Sequence, residues 1–353
     1  MATSPTYDIH KSYDENYDQG PFFDGDLPNF DGAKKYRFLD FEIGAPVGVP
    51  AGPLLNSNWV ELYAKLGFDL PVYKTVRSGQ RDCHPAPNCL YLDQPGNLTD
   101  NRFGERLLAT EAAPADAADI SITNSFGMPS KAPDTWMADM EVAAAACGPN
   151  QVFIASAVGT PGNGSLADDY ARTAAMCKEA GAKVVEINLS CPNVTSGEGS
   201  IFTDPDAARA IVKATSDALG ATPLMVKVGY FTDSATMEAV VKACAPLVQG
   251  IAGINTLSFE VVKKDGSQAL PGEGRLRSGI CGAAIRECGL TQAERLVALR
   301  AKQRYDFVVV GVGGIMTPAD IDAYLGAGVD AVMSATGAMW DPYLAANWRQ
   351  GKS

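Results

Sequence analysis

The sequence predicts a (β/α)8 barrel, and three observations carry that prediction. Eight short apolar runs rich in β-branched residues, at 45 to 51, 71 to 76, 152 to 158, 183 to 190, 223 to 229, 250 to 257, 307 to 313 and 330 to 336, have the length of buried strands. Helical patterns lie between most of them, which is the alternation of a parallel sheet. Polar residues gather at one end of those runs: Gly52, Lys74, Ser156, Asn188, Lys227, Asn255, Gly313, Gly314, Ser334 and Thr336 each stand at or just past a carboxyl end, where barrels build their sites.

Along the chain, residues 1 to 40 carry Asp, Tyr, Gly and Pro without clear periodicity. They read as an amino-terminal extension, packed across the barrel or partly disordered, with 41 to 353 forming one barrel domain. Residues 77 to 150 form a long insertion between the second and third strands; long barrel insertions sit at the active-site end, so this one is a candidate roof. Ser165 precedes Leu166, Tyr170, Ala174 and Cys177 at helical spacing, and Gly181 ends the pattern. Asp204-Pro205 and Thr317-Pro318 each place a capping side chain before a first-turn proline, and Thr291 with Glu294 has the capping-box spacing. Gly67, Gly181 and Gly328 each precede an apolar run and read as helix stops feeding the next strand. Beyond Thr336 there is room for one short helix and no further domain.

Composition bounds the function. The chain has 353 residues, 46% of them hydrophobic, enough for a full core. Its formal charge of -12 argues against nucleic acid or an anionic membrane as partner, since both need a concentrated basic surface. No apolar run reaches the roughly 18 residues needed to span a bilayer and the amino terminus is not signal-like, so a soluble, cytoplasmic protein is expected. The eight cysteines lack C-x-x-C spacing and only two histidines accompany them, so no metal is expected; Cys83, Cys147, Cys177, Cys244 and Cys288 read as small core residues.

Several residues point to chemistry. Lys74 and Lys227 interrupt otherwise apolar strands, and an inward-pointing charge is costly without an anionic partner. Gly311-Val-Gly-Gly-Ile-Met-Thr-Pro follows one strand and opens a helix, and Ser334-Ala-Thr-Gly ends the next; together they have the form of the phosphate site that barrels build after strands seven and eight. Asn124, Asn188, Asn193 and Asn255 lie beside strand ends, and amides, which both donate and accept, suit a ligand with alternating N–H and C=O groups such as a pyrimidine. Cys191 lies between two of them, in a loop with Gly197 and Gly199 that has the make-up of a lid. Arg77 and Arg81 have two readings, as screens for an anionic ligand or as solvating residues of the insertion.

These segments resemble the dihydroorotate dehydrogenases, specifically the soluble class 1 branch. The similarity runs from about Gly44 to Pro342 through Val-Pro-Ala-Gly, Tyr-Lys-Thr, Asn-Ser-Phe-Gly-Met-Pro, Asn-Leu-Ser-Cys-Pro-Asn-Val, Val-Lys-Val-x-Tyr-Phe, Ile-Asn-Thr and Gly-Val-Gly-Gly-Ile. The resemblance implies an FMN enzyme of pyrimidine biosynthesis. Cys191 would take the C5 proton of dihydroorotate while the C6 hydride goes to flavin N5. Asn124, Asn188, Asn193, Asn255 and Thr256 would bind the pyrimidine, with Lys74 near its carboxylate and the flavin. Lys227 would stabilise the reduced flavin's N1/O2 edge; Ala51, Gly52, Thr75, Asn188, Gly279, Gly313, Gly314, Ala335 and Thr336 would cradle FMN. Fumarate or another soluble oxidant would accept the electrons, and the expected assembly is a homodimer. The extension, the insertion, Gly229 where the soluble class usually has proline, and Ser278-Gly-Ile-Cys-Gly in place of Gly-Gly-x-Gly-Gly depart from the pattern. They leave open an enzyme for another pyrimidine or cyclic amide, and a catalytically silent flavin-binding module.

Overall fold

In the computed structural model, which describes residues 5–30, 35–162, 164–190 and 201–352, each of the eight runs forms a strand. These are β1 (Val47–Val49), β2 (Leu70–Val76), β3 (Ile154–Ala157), β4 (Val184–Asn188), β5 (Leu224–Val228), β6 (Gly250–Gly253), β7 (Val308–Val312) and β8 (Ala331–Met333). They pair in parallel in chain order, and β8 returns to β1 to close the barrel. Nearly every strand position is buried, as expected of a parallel sheet covered on both faces.

The inside of the barrel is packed in layers. Leu70 and Val72 of β2, Val184 of β4, Met225 of β5 and Val310 of β7 belong to one apolar cluster, joined by Phe38 and Ile43. Those last two come from an antiparallel hairpin, Tyr36–Phe38 with Phe41–Ile43, which stoppers the amino-terminal end. Upstream, helix Tyr13–Gln19 starts on a capping box of Ser12 and Glu15, and Tyr7, Ile9 and Tyr13 are buried in the main core. Thr6 N–H donates to Met339 O at 2.9 Å, tying this segment to the far end of the chain.

The surrounding helices follow their sequence signals with two differences. After β1 to β5 come α1 (Ser57–Lys65), α2 (Pro133–Ala146), α3 (Leu166–Glu179), α4 (Pro205–Leu219) and α5 (Ser234–Cys244). Ser165 and Asp204 cap α3 and α4 as expected, and Gly67, Gly181 and Gly328 adopt φ of 91°, 97° and 92°, the left-handed region that stops a helix. After β6 comes α6 (Arg286–Gln303), which starts five residues before Thr291; that residue lies inside the helix and caps nothing. A capping-box spacing has no effect where the preceding turn already supplies backbone acceptors. After β7 comes α7 (Pro318–Gly326), opened by a capping box of Thr317 and Asp320. After β8 the tail makes two short helices, α8 (Thr336–Trp340) and α9 (Leu344–Arg349), where one was expected.

A second, five-stranded closed sheet lies beyond the carboxyl ends of the barrel. The insertion supplies Cys89–Leu92, Arg106–Thr110 and Ser121–Asn124, and the connection from β6 to α6 supplies Leu257–Val262 and Arg277–Gly282. The roof is therefore built from two segments, not from the insertion alone.

Candidate active site

One cavity lies between the barrel pole and this roof, with Tyr7 and Tyr13 of the amino-terminal segment in its wall. The side chains reach it through strand alternation. On β2, Leu70 and Val72 fill the barrel and Lys74 is the next residue on that face; on β5, Met225 fills it and Lys227 follows. Lys227 pairs in register with Asn188 of β4, which sets the two beside each other on the cavity floor. Lys74 stands over the Phe126 ring, its Nζ 5.9 Å from the centroid. Thr75 is held by a 3.0 Å hydroxyl contact with Ser156 of β3.

The amides form a network. Asn188 Oδ1 accepts from the Ser190 N–H at 3.0 Å and from Asn255 Nδ2 at 3.3 Å. Asn255 Nδ2 also donates to Ser190 O, and its Oδ1 accepts from the Thr256 N–H at 2.9 Å. From the roof, Asn124 Nδ2 donates to Cys281 Sγ at 2.9 Å. Burial pushes the Cys281 thiol up to about 12, so it is neutral at physiological pH. The Thr256 hydroxyl and the Tyr7 hydroxyl are buried with no hydrogen-bond partner among the described residues. Such groups in a cavity wall are sites for ligand atoms.

The loop from β7 to α7 is shaped by glycine. Gly313 and Gly314 have φ of 127° and 68°, and a Cβ on Gly314 would fall 2.4 Å from Arg286 Cα. Tyr324 Oη donates to Gly313 O at 2.6 Å and Arg286 Nε donates to Gly314 O at 3.3 Å. In a trans peptide the N–H points opposite to the carbonyl, so the Gly314 and Ile315 N–H groups are turned away from those partners, and both residues line the cavity. Across from them stand Ser334, Ala335 and Thr336, and Ala51 with Gly52 completes the floor.

Most of the described residues named from sequence therefore meet in one place. Gly279 stands one step outside, where a Cβ would fall 2.4 Å from Thr256 Oγ1. Cys191 and Asn193 lie outside the described residues. Arg77 fits neither of its two readings: it is buried, and its guanidinium donates to Met128 O at 3.2 Å, Gly159 O at 3.2 Å and Thr160 Oγ1 at 3.1 Å, tying the insertion to the loop after β3 rather than facing ligand or solvent. Arg81 is half-exposed and joins Ser130 through its backbone. Gly229 packs where a Cβ would meet Phe202 at 2.6 Å and Ser190 Oγ at 2.7 Å, which explains the absence of a proline there.

Sequence reading missed Tyr7, Tyr13, Cys89 and Cys281 in the wall, and Glu186 beneath it. Glu186 had a readable signal, the same break in an apolar strand that marked the lysines. It is fully buried, and burial pushes its carboxyl up while Lys227 pulls it back; burial pushes Lys227 down and Glu186 opposes that.

The profile described as dihydroorotate dehydrogenase matches residues 112–348. The dihydroorotate dehydrogenase of Dictyostelium discoideum is 41% identical over 98% of this chain and 96% of that protein. The chain belongs to the dihydroorotate dehydrogenase family. Like the members of that family it is an oxidoreductase for a CH–CH donor. The catalytic subunit of the NAD(+)-dependent dihydroorotate dehydrogenase B of Shouchella clausii is 31% identical over 52% of this chain and 58% of that protein. The fold matches that of a dihydroorotate dehydrogenase from Eimeria tenella, solved with ferulenol, at a TM-score of 0.71 and 16% identity over 95% of this chain and 87% of the other. Among the described residues, no helix is long and apolar enough to cross a membrane.

Proposed function

We propose that this chain is a soluble, cytoplasmic, class 1 enzyme that converts dihydroorotate to orotate with FMN, passing the electrons to fumarate or another soluble acceptor as a homodimer. The observation that carries this reading is the convergence of Lys74, Asn124, Asn188, Asn255 and Thr256 with Lys227 and the Gly313-Gly314 loop on one cavity. The residues fit the cofactor: two backbone N–H groups are turned from their carbonyls' partners at a glycine-only turn, and a buried ammonium stands on the floor.

When bound, FMN supplies the two-electron acceptor for the hydride from C6. The chain supplies the rest. Cys191, as thiolate, takes the C5 proton, so loss of that proton and of the C6 hydride leaves the C5=C6 bond of orotate. Lys74 sits at the half-buried rim of the floor, where its ammonium offsets the substrate carboxylate. Asn124, Asn188, Asn193 and Asn255, with Thr256, match the ring's N–H and C=O groups, and Ala51, Gly52, Thr75, Gly279, Gly313, Gly314, Ala335 and Thr336 hold the cofactor. The roof and the amino-terminal tyrosines cover part of the cavity, and the lower local dielectric there strengthens each of these charge interactions.

One observation favours the other substrate reading, an enzyme for a different pyrimidine or cyclic amide: the Cys281 thiol takes up the Asn124 amide where the family run has glycine. Titrating the oxidised protein with orotate and with uncharged cyclic amides separates the two. Orotate is expected to shift the flavin spectrum, and a shift only with uncharged amides at millimolar concentration would favour the other reading.

A further inference from the structure

Glu186 is in the middle of β4 on the face that looks into the barrel, one inward step below Asn188. It is 0% exposed, and neither carboxyl oxygen has a hydrogen-bond partner among the described residues. An ionised carboxylate in such a place needs a countercharge. The next strand carries one. Met225 is the register partner of Glu186 on β5, so Lys227, two residues further, stands on the same inward face and level with Asn188. On the other side Glu186 pairs with Ser156 of β3, and Lys227 pairs with Ala252 of β6, so neither neighbouring strand adds a charge there. Lys74 on β2 is the other cation of the cavity floor. Lys227 itself is 5% exposed and lines the cavity, whereas Glu186 does not reach it.

We propose that Glu186 is a positioning residue for the reaction: from one inward step below the cavity floor, and without a direct ion pair, its charge favours the protonated form of Lys227, so that the positive charge offered to the cofactor is set by a buried residue that never touches it. The placement of the two residues on the inward face of adjacent strands stands on the barrel geometry; its consequence for the cofactor rests on the flavin reading given above. The arrangement has a simple logic. A lone buried lysine loses its proton readily and a lone buried glutamate gains one; each opposes the other's shift, so the two hold their charges better together than either does alone.

The test is Glu186→Gln, which keeps the volume and removes the charge. In the flavin-loaded variant Lys227, without the opposing charge, is expected to lose its proton at a lower pH than in the parent and to regain it when the flavin is reduced. The midpoint potential should therefore acquire one extra proton per two electrons, steepening its pH dependence by about 30 mV per pH unit over that window. Glu186→Asp keeps the charge and should follow the parent curve. A change of packing alone adds no proton, so a Glu186→Gln curve parallel to the parent would overturn the proposal. If Glu186→Gln fails to hold flavin, unfolding of the flavin-free protein decides, using Glu186→Gln, Lys227→Met and the double variant. The double variant is expected to melt above either single one, because each single change leaves an unmatched buried charge; additive losses would overturn the pairing. Because that cycle needs no cofactor, failure of the flavin reading and failure of the pairing give different results.

Discussion

Asn124→Ala is the cleanest probe of pyrimidine binding. Among the described residues the Asn124 amide engages only Cys281 Sγ, whereas the Asn255 amide serves Asn188, Ser190 and Thr256 at once. Removing Asn124 thus costs the fold one weak N–H···S contact, while removing Asn255 costs about three hydrogen bonds near 1 kcal/mol each, in the strand-end loop that shapes the floor. For the ligand, loss of Asn124 leaves one ring group unmatched in the cavity, about 1–3 kcal/mol, or roughly 5- to 150-fold in affinity. Flavin absorbance titrated with orotate should give a dissociation constant about 5- to 150-fold weaker in Asn124→Ala, with a melting temperature close to the parent's. Asn255→Ala should weaken binding and also lower the melting temperature. An unchanged orotate affinity in Asn124→Ala would refute the role of the roof amide.

Three further outcomes are expected. Cys191→Ala should keep its flavin yet slow reduction by dihydroorotate by about a hundredfold or more in stopped flow, the scale for loss of a positioned base; an unchanged rate would return the cysteine to a structural role. Gly314→Ala should purify with little FMN, because its Cβ would fall 2.4 Å from Arg286 Cα and push the loop out of shape; stoichiometric FMN, measured after acid release, would contradict this. Deleting residues 1 to 20 removes Tyr7 and Tyr13 from the wall and their ring contacts with Phe126, at 6.0 and 6.2 Å, so flavin should dissociate faster on dilution; parent-like retention would show that the segment is dispensable to the site.

The barrel was legible because its strands are buried on both faces, which writes them as short, nearly continuous apolar runs, and because polar residues then stand out at their ends. The same logic located Lys74 and Lys227, and applied to Val-Val-Glu-Ile-Asn it would have located Glu186. The roof was harder. Leu257–Val262 alternates buried and half-exposed positions, and its first residue was absorbed into the run at 250 to 257, so a second sheet was hidden behind a barrel strand. Tyr7 and Tyr13 were not legible at all, since an irregular segment with tyrosines looks the same whether it is solvated or wedged between Trp59 and Phe126. Thr291 with Glu294 shows the opposite failure, a local spacing overridden by a helix that had already begun at Arg286.

The central claim, that this cavity oxidises dihydroorotate through a bound flavin, is tested most directly by mixing the flavin-loaded protein with dihydroorotate without oxygen. The account predicts that the flavin absorbance bleaches, with one orotate formed per flavin reduced. Persistent absorbance with dihydroorotate, while another cyclic amide bleaches it, would contradict the substrate assignment, and persistent absorbance with every such substrate would contradict the enzyme reading itself.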